Sequence, residues 1–302
     1  MIVLGVPAAL VAAVFLAFGA HFQNHGASKV GDEQGDPGAD GGDRRFGLAQ
    51  LWALLKTPRW VLGSSLLAVA IVLQLVSLSL APLAVVQPLG ALSLVVTAFL
   101  DAKVNHARVT PKAVRAIVAC VIGVTTFVVT ASLTTRSGAA DPGQELVVLV
   151  LLAVVLVLFS VLFGVLHRRL GSLRLALGAG ILFGFVATLA KLIIGRVGGI
   201  LSSGARPTDW IVLACLVGLL LAGGAGLYLV QTAYGAGSPD LVVAALTVID
   251  PLVAVSIGIG VLAEAAHAPW WAFAIFVVAE LVAIAGVVSL ARHQPAPEPA
   301  PA

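Results

Sequence analysis

The chain has 302 residues, of which 60% are hydrophobic and only 10% are charged, whereas a soluble domain is about 45–50% apolar and about 25% charged. A water-soluble fold of this length cannot bury so much apolar surface, so the composition excludes an ordinary soluble protein. The net charge of +3 does not indicate nucleic-acid binding, because the basic residues lie between apolar runs, where they determine membrane orientation.

Nine apolar runs follow one another along the chain, and each is close to the roughly 20 residues that a helix needs to cross a hydrocarbon core of about 30 Å. Strands would need alternating polarity in a closed barrel, which these continuous runs lack. We therefore predict an all-α integral membrane protein with transmembrane helices at 2–22, 60–80, 83–100, 113–133, 146–166, 175–194, 210–230, 241–262 and 270–290.

Two polar segments lie outside these runs. Residues 23–59 include the stretch GDEQGDPGADGGDRR, which has no apolar residue except alanine and predicts a mobile cytoplasmic loop. Residues 291–302 end in PAPEPAPA, which predicts a disordered tail.

Lysine and arginine are distributed unequally between the two ends of the predicted helices. One end has only Arg136, Arg196 and Arg206, and the other has Lys29, Arg44, Arg45, Lys56, Arg59, Lys103, Arg108, Lys112, Arg115, Arg168, Arg169, Arg174 and Arg292. Because basic loops stay in the cytoplasm, we predict a multi-pass protein of the inner (plasma) membrane. Its amino terminus is outside and its carboxyl terminus is cytoplasmic.

An internal repeat relates the two halves of the chain. An ungapped alignment places Gln87-Pro88-Leu89 over Asp250-Pro251-Leu252. The same offset pairs Ala91 with Ala254, Ser93 with Ser256, Asp101 with Glu264, and Gly123 with Gly286. The two copies run in opposite directions through the predicted membrane, which is typical of an inverted repeat with a binding site near the midplane. We predict a first repeat at 1–134 with four spans and a second at 145–290 with five.

The stretch APLAVVQPLGALSLVVTAFLDA, followed by a basic loop and a span containing Gly123, resembles the signature of the drug/metabolite transporter superfamily (EamA-like). Its APxxxVxPLGALS pattern is closest to the NIPA-type magnesium transporter branch, and the resemblance extends to AYGAGSPDLVVAALTVIDPLVAVSIGIGVLAE in the second copy. Asp101 departs from the pattern, since EamA-type members commonly carry Glu there. The resemblance implies a helical inverted-repeat fold of nine or ten spans that works by alternating access.

Asp250 is the most informative polar residue, because it lies about ten positions into an apolar run and therefore near mid-membrane. A charge at that depth costs about 2.5–3.5 kcal/mol and is by default a functional candidate. A second interpretation is that Asp250 caps a helix restarting at Pro251. The functional role and the cap are both correct if the helices are broken at Pro88 and Pro251, since broken helices mark transporter sites. Gln87 is the corresponding candidate in the first repeat.

Other polar residues in the apolar runs are weaker candidates for contacts with a solute or ion. Glu280, at the centre of the last span, is a candidate for carrying a coupling proton, or it pairs with another helix. Lys191 either neutralises Asp250 or Glu280 or extends to the membrane surface. The hydroxyls of Ser93 and Ser256 complete the set, and Asp101 and Glu264 are expected to face water.

These observations favour a secondary transporter that moves a small solute or cation through a cavity between the repeats. A magnesium transporter is the sharper alternative, although Mg²⁺ prefers octahedral oxygen ligands and keeps several waters. Two further hypotheses are export of a hydrophobic metabolite and a non-transporting membrane scaffold. No Walker-type, GxSxG or HExxH motif occurs, so we expect neither an enzyme nor a cofactor. The partners expected are the lipid bilayer and the transported species, while a homodimer is left open.

Overall fold

The computed structural model describes residues 2–33, 55–104, 110–138, 140–166, 171–203, 210–236 and 239–292. These residues form the helices α1 (Ile2–Glu33), α2 (Pro58–Leu80), α3 (Leu83–Gly90), α4 (Leu92–Val104), α5 (Pro111–Thr134), α6 (Pro142–Leu166), α7 (Ser172–Ser203), α8 (Trp210–Ala236), α9 (Pro239–Gly260) and α10 (Trp270–Arg292). Nine spans within them are long and apolar enough to cross a membrane, with α3 and α4 together forming one span. The prediction of an all-α, nine-span membrane protein is confirmed.

Two helices extend nine residues or more beyond their predicted spans. α1 continues to Glu33, so it includes the start of the predicted polar loop, whose residues 34–54 lie outside the described part of the chain together with the predicted tail from 293 onward. α7 continues through Arg196 to Ser203, nine residues past the predicted end at 194. The helix tolerates this arginine because Arg196 pairs with Glu145 of α6.

The third predicted span is interrupted soon after Pro88. α3 ends at Gly90, Ala91 forms a turn, and α4 begins at Leu92. Proline has no amide hydrogen and cannot continue the helical hydrogen-bond ladder. The second repeat differs, because α9 runs unbroken from Pro239 through Pro251 to Gly260, where we expected a break. Packing neighbours allow a membrane helix to tolerate proline, and α9 is packed closely against α7 at this level.

The helices assemble mainly as close pairs: α1 with α2, α5 with α10, α7 with α8, and α7 with α9. One apolar core lies around α3, α5 and α10. A second core lies among α6, α7, α8 and α9. The α5–α10 pair joins the two repeats, since one helix comes from each.

Glycines make the contact between α5 and α10 reciprocal. A Cβ atom at Gly123 would lie 2.5 Å from the backbone nitrogen of Ala283, and a Cβ atom at Gly286 would lie 2.5 Å from the backbone nitrogen of Cys120. The repeat offset relates Gly123 to Gly286 and Cys120 to Ala283. The repeat partners of the contacting residues Gly123 and Ala283 therefore contact each other as well, which is the relation that a two-fold axis imposes on an interface.

Candidate functional site

A cavity of about 990 Å³ lies at one end of the helix bundle. It is bounded by the last residues of α2, the segment between α5 and α6, the carboxyl-terminal part of α7 and the turn after α9. Its charged lining residues are Arg136, Glu145, Lys191, Arg196 and Glu264. In the predicted orientation this end of the bundle faces outward.

Lys191 and Glu264 form an ion pair in the wall of this cavity. Lys191 Nζ lies 2.8 Å from Glu264 Oε1, and it also donates a hydrogen bond of 2.9 Å to the carbonyl oxygen of Ala81. Only 9% of Lys191 and 5% of Glu264 is exposed. The expectation that Glu264 faces water was therefore wrong. Lys191 lies in the cavity wall and binds Glu264 and the Ala81 carbonyl, not either of the two carboxyl groups that we considered for it.

The carboxylate of Glu264 also caps the amino terminus of α3. Oε1 accepts a hydrogen bond of 2.8 Å from the Leu83 amide, and Oε2 accepts one of 3.1 Å from the Ala84 amide. The first amides of a helix have no partner within the helix, and the helix dipole favours a negative charge beside them. The cap comes from the other repeat, so it joins the two halves at this end of the membrane.

The turn that follows α9 directs Glu264 back into the protein. Ala263 has a φ of 55°, in the left-handed region that favours glycine. The Glu264 amide donates to the Gly258 carbonyl at 3.0 Å, and the Glu264 carbonyl accepts from the Arg136 amide at 2.9 Å. Both the backbone and the side chain of this residue are thus held by hydrogen bonds.

A second ion pair lines the same cavity. Both Nε and Nη2 of Arg196 lie 2.6 Å from Oε2 of Glu145, whose exposed fraction is only 1%. This pair joins α7 to the start of α6. In each of these two ion pairs a basic side chain neutralises a buried carboxylate. Arg136 belongs to neither pair, and its exposed side chain adds a positive charge at the rim of the cavity.

Asp250 lies inside α9, on the side that packs against α7. A Cβ atom at Gly184 of α7 would lie 3.0 Å from the Asp250 carbonyl oxygen, and one at Gly180 would lie 3.4 Å from its amide nitrogen. Because α9 is continuous here, Asp250 does not cap a helix. Its Oδ1 atom is buried and has no hydrogen-bond partner among the described residues. A buried polar atom without a partner is unusual in a folded protein, and this makes Asp250 a candidate for a functional role.

Glu280 lies at the junction of the two repeats. Together with Pro88, Thr247 and Pro251 it lines a small cavity of about 20 Å³, with Val124 and Val287 on the helices α5 and α10. A water molecule needs about 10–15 Å³ by this measure. The volume therefore admits one water beside the Glu280 carboxyl group, at the place where both prolines meet.

Three other predicted contacts lie on the helices α3, α4 and α9. Gln87 is buried in α3, at 6% exposure. Ser93 donates its hydroxyl hydrogen to the Gly90 carbonyl at the turn between α3 and α4. Ser256 is exposed on the outer surface of α9 and donates to the Leu252 carbonyl of its own helix. Among the residues that the structure describes, no three His, Cys, Asp or Glu side chains are grouped as metal ligands.

Sequence reasoning missed four charged residues of the site: Arg136, Glu145, Arg196 and Glu264. One signal could have indicated Glu264, because the repeat alignment pairs it with Asp101 at the same helix end. Acidic residues at matching positions of inverted repeats are candidates for contacts between the halves. No comparable signal marks Glu145, whose partner lies 51 positions later in the chain.

Comparison with known proteins gives one family and one relative. The family model described as the magnesium transporter NIPA matches residues 1–203, which include the first repeat and continue to the end of α7. The chain is 29% identical over 255 residues to an uncharacterised protein of Corynebacterium glutamicum, a match that spans 80% of this chain and 82% of the relative. No solved structure matches the chain.

Proposed function

Because this chain belongs to the NIPA magnesium transporter family, we propose that Mg²⁺ or a similar divalent cation is the substrate of this multi-pass membrane transporter. The observation that carries the proposal is the family match over 1–203, two-thirds of the chain. The matched region contains four of the five charged residues in the cavity wall: Arg136, Glu145, Lys191 and Arg196.

The size of the cavity supports a hydrated ion. Mg²⁺ loses its water reluctantly and prefers six oxygen ligands. By the measure used for the cavity, six waters need about 60–90 Å³ at about 10–15 Å³ each, which is well below the cavity volume of about 990 Å³. A hydrated dication can thus enter without first losing its waters.

Carboxyl groups at three depths support a route for a cation. Glu264 lies in the cavity wall, Asp250 lies beside Gly184 of α7, and Glu280 lies at the junction of the prolines. Lys191 follows Gly184 by seven residues, so the cavity wall and Asp250 are separated by about 10 Å along α7. In this proposal the repeats rock against each other by alternating access, and Asp250 and Glu280 bind the transported or coupling ion near the midplane.

The loop charges support an orientation for this transport. Because basic loops stay in the cytoplasm, the proposal places the protein in the inner (plasma) membrane, with its amino terminus outside and its carboxyl terminus inside. The large cavity then opens outward. A homodimer belongs to the same proposal as an alternative to a monomer.

A small organic solute is the second candidate substrate. Pockets for such molecules have volumes of about 300–1,000 Å³, and the cavity lies at the upper end of that range. Leu78, Leu80, Leu192 and Leu262 are among its apolar lining residues. A hydrated ion has no use for these apolar residues, and their presence is the observation that favours the solute.

Purified protein in liposomes that enclose a Mg²⁺-sensitive dye tests the proposal. We expect Mg²⁺ entry above that of empty liposomes, and we expect Asp250→Asn and Glu280→Gln to reduce the initial rate about tenfold or more. A change of that size corresponds to about 1.4 kcal/mol. Asp141→Asn is the matched control, because Asp141 is an exposed carboxylate just before α6, and its rate should equal that of the unmodified protein. Mg²⁺ entry no faster than in empty liposomes would overturn the proposal, and solute entry under the same conditions would favour the second candidate.

A further inference from the structure

The ammonium group of Lys191 lies in the cavity wall beside oxygen atoms of the kinds that bind metal cations. Its ammonium group lies 2.8 Å from a carboxylate oxygen of Glu264 and 2.9 Å from the backbone carbonyl oxygen of Ala81. Carboxylate and carbonyl oxygens are also the groups that bind hard divalent cations. We propose that Lys191 is a tethered cation that competes with the transported dication for Glu264, an inference that rests on the proposed function.

The carboxylate of Glu264 is held in place by groups other than Lys191. The Leu83 and Ala84 amides donate to its two oxygens. The absence of a side chain at Gly258 leaves the space that the carboxylate uses, since a Cβ atom there would lie 2.8 Å from Oε2. The carboxylate therefore keeps its position when the ammonium group leaves, and the site for the incoming cation is already formed.

The ammonium group of Lys191 can move away from Glu264 into the cavity, and a dication can take its place. Lysine carries its charge on a flexible four-carbon chain, and this residue lines a cavity that admits a hydrated ion. A dication at the same distance attracts the carboxylate twice as strongly as a single charge, but it loses more hydration energy on entering. The dication replaces the ammonium group beside Glu264 when it enters, and the ammonium group replaces the dication when it leaves. Glu264 is therefore paired with a cation at every stage, and the dication can leave again, as conduction requires.

The second ion pair of the cavity lacks these properties. Arg196 contacts Glu145 through two nitrogens of its planar guanidinium group, and such a rigid fork loses less entropy for each hydrogen bond than a lysine does. The two carboxylate side chains are about equally buried, with 2% of Glu145 and 3% of Glu264 exposed, so the difference between the pairs lies in the basic residue. The geometry therefore assigns the exchange to Lys191 and a structural role to Arg196.

Replacement of Lys191 by glutamine tests the competition. Glutamine keeps donors for Glu264 and Ala81 but removes the charge. If Lys191 occupies Glu264 for nine-tenths of the time or more, its loss should lower the Mg²⁺ dissociation constant about tenfold or more, as measured by titrating the purified protein in detergent and following its thermal unfolding. Adding Glu264→Gln to Lys191→Gln should abolish this gain.

Arg136→Gln is the matched control. It removes one positive charge from the same cavity, but its exposed side chain lies at the rim, and its backbone bond to Glu264 is unaffected. A general electrostatic effect would lower the dissociation constant equally in both variants, and that result would overturn the inference. We expect a change of about threefold or less for Arg136→Gln, because exposed charges are screened by water and salt.

A measurement on the unmodified protein keeps the test independent of variant folding. A small amine-reactive reagent, followed by mass spectrometry of each lysine, should label Lys191 faster in Mg²⁺ than in a K⁺ salt of equal ionic strength. Slower or unchanged labelling would overturn the inference. Different results contradict the two proposals. If Mg²⁺ does not enter liposomes that contain the protein, the proposed function is wrong. Normal Mg²⁺ entry with no tighter binding in Lys191→Gln than in Arg136→Gln contradicts only the competition.

Discussion

The reciprocal glycine contacts between α5 and α10 make a prediction that can be worked out from distances. In Gly123→Ala the new Cβ atom would lie 2.5 Å from the Ala283 nitrogen and 2.7 Å from the Ala279 oxygen. Both are backbone atoms, so no side-chain rotation can relieve the contact. Ordinary contacts begin near 3.4 Å, so the two helices must separate by about 0.9 Å in a closely packed interface.

The expected loss of stability follows from this separation. Overpacking of a well-packed core costs about 1–3 kcal/mol. The repeat symmetry predicts a similar loss for Gly286→Ala, whose Cβ atom would meet the backbone of Cys120 and Ala116 at 2.5 Å and 2.8 Å. The double variant should lose less than the sum, because one separation of the helices makes room for both methyl groups.

Gly224→Ala provides the matched control for these variants. It is the same substitution inside a membrane helix, but a Cβ atom at Gly224 meets nothing within 4 Å. It should therefore gain about 0.5–1 kcal/mol from the better helix propensity of alanine. Thermal unfolding in detergent, followed by the fluorescence of the five tryptophans, measures the stability of the four variants and of the unmodified protein. The reasoning is refuted if Gly123→Ala and Gly286→Ala unfold at the same temperature as the unmodified protein, or if Gly224→Ala loses as much stability as they do.

Three further outcomes are expected. Glu264→Gln and Lys191→Met should each lower the free energy of unfolding by about 3–5 kcal/mol, because each leaves one buried charge unpaired. The double variant should lose less stability in thermal unfolding than the sum of the two single losses, and strict additivity would contradict the coupling of these residues. Gly258→Ala should displace the Glu264 carboxylate from α3, since its Cβ atom would lie 2.8 Å from Oε2; faster hydrogen exchange at the Leu83 amide would show this, and unchanged exchange would exclude it. Ser77→Ala should cost about 1 kcal/mol, because the buried Ser77 hydroxyl donates to the Gly5 carbonyl of α1 at 2.8 Å; a denaturation midpoint equal to that of the unmodified protein would argue against this bond.

The membrane-spanning helices could be predicted because lipid imposes a simple rule on composition. A backbone that crosses hydrocarbon must satisfy its own hydrogen bonds, and this restricts each apolar run of about 20 residues to a helix. The repeat was equally visible, since Gly123 and Gly286 share the offset of the two proline motifs. Only the structure shows that these two glycines pack reciprocally against Ala283 and Cys120.

The partners of the charged residues could not be predicted in the same way. Lys191 and Glu264 are separated by 73 positions, and hydropathy does not encode how far each helix is rotated or shifted along its axis. The turn at Ala263, which points Glu264 inward, has no sequence signal, because a left-handed φ normally favours glycine or asparagine. The two proline motifs illustrate the same limit, since one helix is interrupted near Pro88 and the other continues through Pro251.

The sequence by itself determined that the described part of the chain forms nine spans long and apolar enough to cross a membrane and that its halves are related, because burial of the backbone in lipid and the repeat offset depend only on the order of residue types. The tertiary structure alone decided which charges meet, where the cavity opens and that Glu264 caps the helix α3 of the other repeat. These outcomes depend on distances of a few ångströms between segments far apart in the chain, and only the packing of the helices sets those distances.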